Sequence, residues 1–376
     1  MEPYRIGFVL EQVLGHRTHS QNIQSAIGKD GTIDPLWILP DWQAITPGSR
    51  IPFYRSNWTV QSGWQARRGL NAAARGQRLD GLFFHTQVPA VLSVDWIRHY
   101  PSIISLDATP LQYDSLGKAY HHNLGPGWLE NLKIRLNKAC FEAAHHLVSW
   151  SQWAKDGLIN DYAVPEEKIT VIPPGVLLGE WRNGAVKPKK SGVVKILFVG
   201  GDLKRKGGLD LLDAFLSFRN RISGDKRDLQ PRLELHLVTQ TLVVAAPDIF
   251  VYPDLKPNSL ALKQLYHDAD IFCLPTYGDC LPVALAEAGA ANLPLISTRI
   301  AAIPELVQDG INGYLIPPGD VRQLAEALDS LVCDPLLRKS MGEQSLHLIE
   351  SAHDADRNVK RLLELIRSTI DHARQS

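Results

Sequence analysis

Pro275-Thr276-Tyr277-Gly278-Asp279-Cys280-Leu281-Pro282-Val283-Ala284-Leu285-Ala286-Glu287-Ala288-Gly289-Ala290-Ala291-Asn292-Leu293-Pro294-Leu295 is the stretch from which the fold is read. The apolar run Ile271-Phe272-Cys273-Leu274 ends at Pro275, a turn-rich segment follows, and Pro282 opens an alanine-rich run that closes over Gly289 to Asn292. The order is strand, loop, helix. A buried strand that delivers the chain to a helix N-terminus puts free backbone N–H groups and the positive end of the helix dipole at a crevice edge, where an anion can sit. Asp279 and Glu287 bracket that N-terminus. Carboxylates facing a phosphate would repel it, so they are read as acceptors for the hydroxyls of a sugar or ribose beside it. The alternative for Asp279 is a plain helix cap.

Outward from this stretch, short apolar runs keep alternating with helical patterns. Ile6-Gly7-Phe8-Val9-Leu10 reads as a first strand, followed by the loop Gly15-His16-Arg17-Thr18-His19 and a helix from near Ser20. His16 and His19 read either as contacts for a hydrogen-bond acceptor or as solvated loop histidines. Further strands are expected at 81–84, at 102–106 ending on Asp107, at 146–150, 193–199, 233–238 and 249–252. This is the pattern of doubly wound parallel α/β sheets. A chain of 376 residues exceeds the usual single core, so two domains are expected. Asn183 to Gly192, rich in Gly, Pro and Lys, is the natural linker between 1–182 and 193–350, with 351–376 as a terminal helix.

Lys plus Arg equals Asp plus Glu, 40 each, so no global field recruits nucleic acid and any charged partner must meet a local patch. One such patch spans residues 42–79, which hold six arginines, no Asp or Glu, and interleaved Trp42, Phe53, Tyr54, Trp58 and Trp64. Arginine with Trp and Tyr suits anionic headgroups. A solvated arginine-rich helix packed by its stems accounts for it equally well, and single-stranded nucleic acid less well. The four cysteines lack C-x-x-C spacing and lie in or beside apolar runs, which favours buried thiols in a reduced compartment over a disulfide or zinc framework. The five-residue apolar run at the N-terminus is too short for a signal peptide, and no stretch is long enough to span a membrane. A cytoplasmic protein is expected, peripheral on the inner face of a membrane if the arginine patch meets lipid.

A second chemical centre follows the strand at 193–199: Gly200-Gly201-Asp202-Leu203-Lys204-Arg205-Lys206-Gly207-Gly208. Glycines let backbone approach a phosphate, and three consecutive cations neutralise it. Neither G-x-x-x-x-G-K-[ST] nor G-x-G-x-x-G occurs, so nucleoside-triphosphate and dinucleotide sites lose their usual support. Asp268-Ala269-Asp270 is a capping and turn sequence before a buried strand rather than a metal site, and no metal is expected.

An acid, seven residues and a second acid, after a strand ending in Pro and before a small-residue helix, resembles the signature of the retaining family-4 glycosyltransferases. Asp279 stands where that family usually has Glu, Pro282 where it usually has Gly, and Asp107 where it commonly has a His that hydrogen-bonds the donor sugar. The resemblance covers nearly the whole chain and is weakest over residues 20–80. It implies a GT-B fold, two doubly wound domains facing each other across a cleft, with acceptor in the first and nucleotide sugar in the second. It further implies Asp107, Arg205, Lys206, Asp279 and Glu287 as catalytic residues, and Gly15, Gly200, Gly201, Arg205, Lys206, Tyr252, Leu281, Val283 and Glu287 as the donor-binding set. The donor implied is a UDP- or GDP-sugar, the acceptor a glycan or lipid-linked hydroxyl, and no cofactor is required. The rivals are a sugar-nucleotide epimerase on the same fold and a non-catalytic sugar-nucleotide or glycan-binding module.

Overall fold

The structure, a computed structural model, describes residues 2–12, 16–41, 57–75, 78–117, 119–120, 125–182, 192–222, 231–244 and 246–375. Gly15, residues 42–56 of the arginine-aromatic stretch and the linker residues 183–191 lie outside these. The chain divides into two compact units, Met1–Ser115 with Asn123–Pro174 and Ala355–Ser376, and Leu116–His122 with Gly175–Asp354.

In the first unit the strands β1 (Tyr4–Leu10), β2 (Ile33–Ile38), β3 (Gly81–His85), β4 (Ser102–Leu106), β5 (His146–Ser149) and β6 (Ile169–Val171) form one parallel sheet in the order β2-β1-β3-β4-β5-β6. The two-residue side-chain period of a strand divides its core. Ile6, Phe8, Phe83, Ile103 and Val148 face one layer, while Val9, Leu82, Phe84, Ile104 and Leu147 face the other. The first layer is closed by Ile23 and Ile27 of the helix His16–Ile27 and by Val359, Leu362, Leu363, Ile366 and Ile370 of the helix Ala355–Gln375. β2 was not expected, because Pro35 interrupts it. It is an edge strand, where a missing ladder N–H is tolerated.

In the second unit β7 (Val193–Val199), β8 (Arg232–Val238), β9 (Ile249–Val251), β10 (Ile271–Leu274), β11 (Leu295–Thr298) and β12 (Gly313–Ile316) are parallel, in the order β12-β11-β10-β7-β8-β9. The short β11 and β12 also escape the sequence pattern. At Gly313 the two run close enough to require glycine, since a Cβ there would lie 1.8 Å from the Leu295 carbonyl oxygen. The strand order reverses between β7 and β10. Loops leaving the carboxyl ends of two such strands diverge and leave a crevice, the usual ligand position in an open α/β sheet. The loop 200–207 follows β7, and the stretch from Pro275 follows β10.

Candidate active site

The two loops at this switch point are locked together by backbone. Gly207 has φ +75°, and a Cβ on it would sit 1.9 Å from the Pro275 carbonyl oxygen, so only glycine permits the approach. The Tyr277 N–H donates to the Arg205 carbonyl at 2.9 Å, and the Arg205 guanidinium donates back to the Gly278 carbonyl at 2.5 Å. The Gly200 N–H donates to the Val238 carbonyl, and the Thr239 hydroxyl to the Gly201 carbonyl, which ties the front of the loop to the end of β8.

This frame gathers charge. The Lys206 ammonium donates to both carboxylate oxygens of Asp279, at 2.7 and 2.5 Å, and the Arg205 guanidinium lies 3.7 Å from one of them. All three side chains are largely buried. Asp279 is therefore the counter-ion of the basic turn rather than a helix cap. The trio carries one net positive charge, beside the start of the helix Gly208–Ile222, whose dipole adds to it. The Tyr120 ring lies 4.7 Å from the Arg205 guanidinium carbon, and Ala119 packs against Gly278. Such a cluster can accept an anionic group by letting Lys206 and Arg205 share it with Asp279.

Glu287 meets a different partner. It lies in the helix Val283–Ala290, which starts after Pro282, and is 6% exposed. One carboxylate oxygen accepts from the Tyr266 hydroxyl at 2.7 Å. Burial pushes the carboxyl up to about 7, opposed by the Tyr266 hydrogen bond and by the charge of Lys263. Lys263, itself buried, donates to Glu180 and lies over the Trp181 ring. Tyr266 and Lys263 were not singled out in the sequence; both sit on the helix Leu260–Asp268 in an ordinary amphipathic pattern that carries no functional signal. Leu281 is buried before the helix, and Val283 opens it, half-buried. Tyr252, just past β9, stacks on His236 and shares a 2.9 Å hydrogen bond with its Nδ1. Asp270 accepts from the Lys195 N–H, in keeping with its reading as a turn residue, and among the described residues no group of three potential metal ligands occurs.

The first unit holds a separate polar centre at the carboxyl edge of its sheet. Asp107 follows β4, and its carboxylate lies 3.4 Å from His16 Nε2, while Glu11, just past β1, lies 3.3 Å from His16 Nδ1. Glu11 also accepts from the Thr86 hydroxyl at 2.7 Å and from the Trp58 indole. Desolvation acts to lower the His16 pKa, but Asp107 and Glu11 outweigh it and raise it to about 10, so His16 is an imidazolium. His19 and His85 are neutral. Burial, with the charge of His16, lowers His19 to about 3 and His85 well below its ordinary value. The three imidazoles pack against Trp150 with ring centroids 4.8–5.4 Å away. Neither His16 nor His19 is a solvated loop residue: the helix starts at His16, not near Ser20, which turns His16, His19 and Ile23 inward at helical spacing. Glu11 and Trp150 were missed as members of this centre, and the i, i+3 histidine pair was the one available signal.

Of the arginine-aromatic stretch, the helix Trp58–Ala74 is described. Arg67 is bidentate to Asp95 at 2.6 and 2.7 Å, Arg68 lies over the Trp64 ring, and Trp58 is spent on Glu11.

Comparison with known proteins agrees with this layout. Residues 33–179 match a family model described as Glycosyltransferase Family 4, and residues 193–334 one described as Glycosyl transferases group 1. WcaL of Salmonella typhimurium, named as a colanic acid biosynthesis glycosyltransferase, is 33% identical over 192 residues, 47% of this chain and 44% of that protein. The chain spans about half the length of the curated relatives it matches. Among solved structures, sucrose-phosphate synthase from Thermosynechococcus elongatus superposes with a TM-score of 0.72 at 14% identity, over 98% of this chain and 100% of that one. Anabaena HepE in complex with UDP and glucose does so with a TM-score of 0.66 at 14% identity, over 97% and 100%. These likenesses fix the fold as GT-B, and with residues 33–179 and 193–334 matched by the two domain models the chain belongs to the family-4 glycosyltransferases.

Proposed function

We propose that the protein transfers a hexose-type sugar from a nucleotide diphosphate sugar, UDP- or GDP-linked, to a hydroxyl of a glycan or lipid-linked acceptor, with retention of anomeric configuration. The observation that carries this reading is the Lys206–Asp279–Arg205 cluster at the switch point of the second sheet. The sugar C1–oxygen bond breaks, the acceptor oxygen bonds to C1 and the acceptor hydroxyl gives its proton to the departing diphosphate, on which negative charge grows as the bond opens. In this reading Lys206 and Arg205 supply the balancing charge, and preorganised charges are the most effective form of such stabilisation. Asp279 holds the ammonium in place before the phosphate arrives. Glu287, once ionised, accepts from ribose hydroxyls, and Asp107 with the His16 imidazolium offers hydrogen bonds to a sugar.

The test is incubation with a panel of UDP- and GDP-hexoses, with and without glycan and lipid-linked acceptors, reading nucleoside diphosphate release and the anomeric configuration of the product. Acceptor-dependent release from one donor is expected. Release without sugar transfer, interconversion of two nucleotide sugars, or binding without turnover would replace this reading. With two cations available at the diphosphate, turnover is expected to survive EDTA, and loss that magnesium or manganese restores would assign that role to a metal.

A further inference from the structure

We propose that the helix Gly127–Ala143 docks the first unit on an anionic lipid surface. The proposal deepens the lipid-linked acceptor reading above and rests on it for its purpose, though not for its observation. This helix is apolar on two sides. Cys140 and Phe141 are buried in the core with Ile134 packed beside them, which accounts for one side. On the other, Trp128 is 70% exposed, Leu132 45% and Leu136 40%, one above the next at the i, i+4, i+8 spacing of a single helical stripe. Leu129, 39% exposed, widens it. A stripe of this width left in water calls for a cover.

The charges beside it choose the cover. Arg135 and Lys138 are exposed along one flank of the stripe, and neither forms an ion pair among the described residues. Lys133, by contrast, is turned away onto Asp114 at 2.7 Å and Glu130 at 3.4 Å. Glu142, the exposed acid one turn beyond Lys138, has the charge of Lys168 beside it, and the Lys168 ammonium donates to the Glu142 backbone carbonyl at 2.7 Å. Unpaired Arg and Lys beside an apolar strip led by a Trp match a bilayer interface. Guanidinium and ammonium meet phosphate headgroups, leucines enter the acyl boundary, and the indole rests at headgroup depth. The arginine-rich helix Trp58–Ala74 fits that role less well, because Arg67 is already bidentate to Asp95.

The experiment is co-sedimentation of the whole chain with vesicles of mixed phosphatidylglycerol and phosphatidylcholine, against phosphatidylcholine alone, over a salt series. It is read without donor or acceptor, so it stands or falls apart from the transferase assay. Pelleting with the anionic vesicles is expected, weakening as salt rises past physiological strength. Leu132→Gln/Leu136→Gln and Arg135→Gln/Lys138→Gln each lower the partition coefficient at least about 10-fold, with circular dichroism unchanged because all four positions are exposed. Arg67→Glu/Arg68→Glu pellets like wild type. No pelleting, equal pelleting of the helix variants, or loss confined to the Arg67/Arg68 variant overturns the proposal. So does a dimer in sedimentation velocity that Leu132→Gln/Leu136→Gln dissolves, since the stripe would then be covered by a second copy.

Discussion

On the proposed reading Lys206 and Glu287 act through different physics, and their loss should register differently. Lys206 would face charge that grows only as the sugar–phosphate bond breaks, so Lys206→Ala is expected to lower kcat by about 10²–10³-fold, the cost of one oxyanion donor, with a smaller change in donor KM. Steady-state kinetics on a folded variant reads this, and an unchanged kcat removes Lys206 from the site. Glu287 carries a pH signature. Its folded pKa, about 7, lies above the unfolded value near 4.5. Folding therefore favours the neutral acid: that stabilisation is fully present below about pH 4.5 and is lost as pH rises through 7. Above that, ionisation of the buried group costs about 3 kcal/mol. Glu287→Gln, which keeps the shape without the charge, should raise Tm relative to wild type at pH 8 and change it little at pH 4.5. The ionised carboxylate is also the better acceptor for ribose hydroxyls. The wild-type donor KM should fall as pH rises through 7, and that of Glu287→Gln should not follow it. Thermal melts and kinetics at the two pH values check both halves.

At the scale of elements, the closest approach in the candidate site is between two loops, and glycine makes it possible. Gly207→Ala would drive a Cβ into the Pro275 carbonyl at a positive φ. It should destabilise the second unit by about 3 kcal/mol and raise donor KM, because Tyr277 N–H and the Arg205 carbonyl would part. Gly201→Ala is the control: its Cβ meets nothing within 4 Å, so chemical denaturation should show almost no change. Equal losses for the two would mean that the loop adapts and that the approach is not structural. The loop itself was legible in the sequence, since Gly and basic residues after an apolar run announce it. The contact that makes it rigid was not, because Gly207 and Pro275 are brought together by the crossover between β7 and β10, which no local pattern encodes.

For the whole molecule, the last helix decides whether the first unit can close its core. Val359, Leu362, Leu363, Ile366 and Ile370 are all nearly inaccessible against β1, β3 and β4. At about 1.5–3 kcal/mol for each buried side chain, their removal forfeits of the order of 10 kcal/mol, comparable with the entire stability of a domain. Polar ties fix the helix as well: Asn358 donates to the Pro173 carbonyl at 3.0 Å, and the Tyr4 hydroxyl to Asp371 at 2.9 Å. A chain ending at residue 354 is expected to leave the first unit without a cooperative transition and to lose hydrogen-exchange protection across β1, β3 and β4. Retained protection there would show that the helix only decorates the sheet.

The sequence by itself determined the alternation of buried strand and helix, and with it two parallel α/β sheets. It also determined the basic Gly-rich turn and the acid pair at the next helix. These are local properties, set by side-chain period, by turn-forming residues and by the free N–H groups at a helix start. Tertiary structure alone decided what each charged group faces. Asp279, read as a sugar contact, lies on Lys206 from 73 residues away, and Asp107 lies on His16 from 91 residues away. Glu287 meets the Tyr266 hydroxyl instead of standing open beside Asp279. A parallel sheet joins residues distant in sequence at its carboxyl edge. Strand order, not spacing along the chain, therefore selects ionic partners, and burial then sets their protonation: an imidazolium at His16, neutral His19 and His85, and a carboxyl at Glu287 that titrates near neutrality.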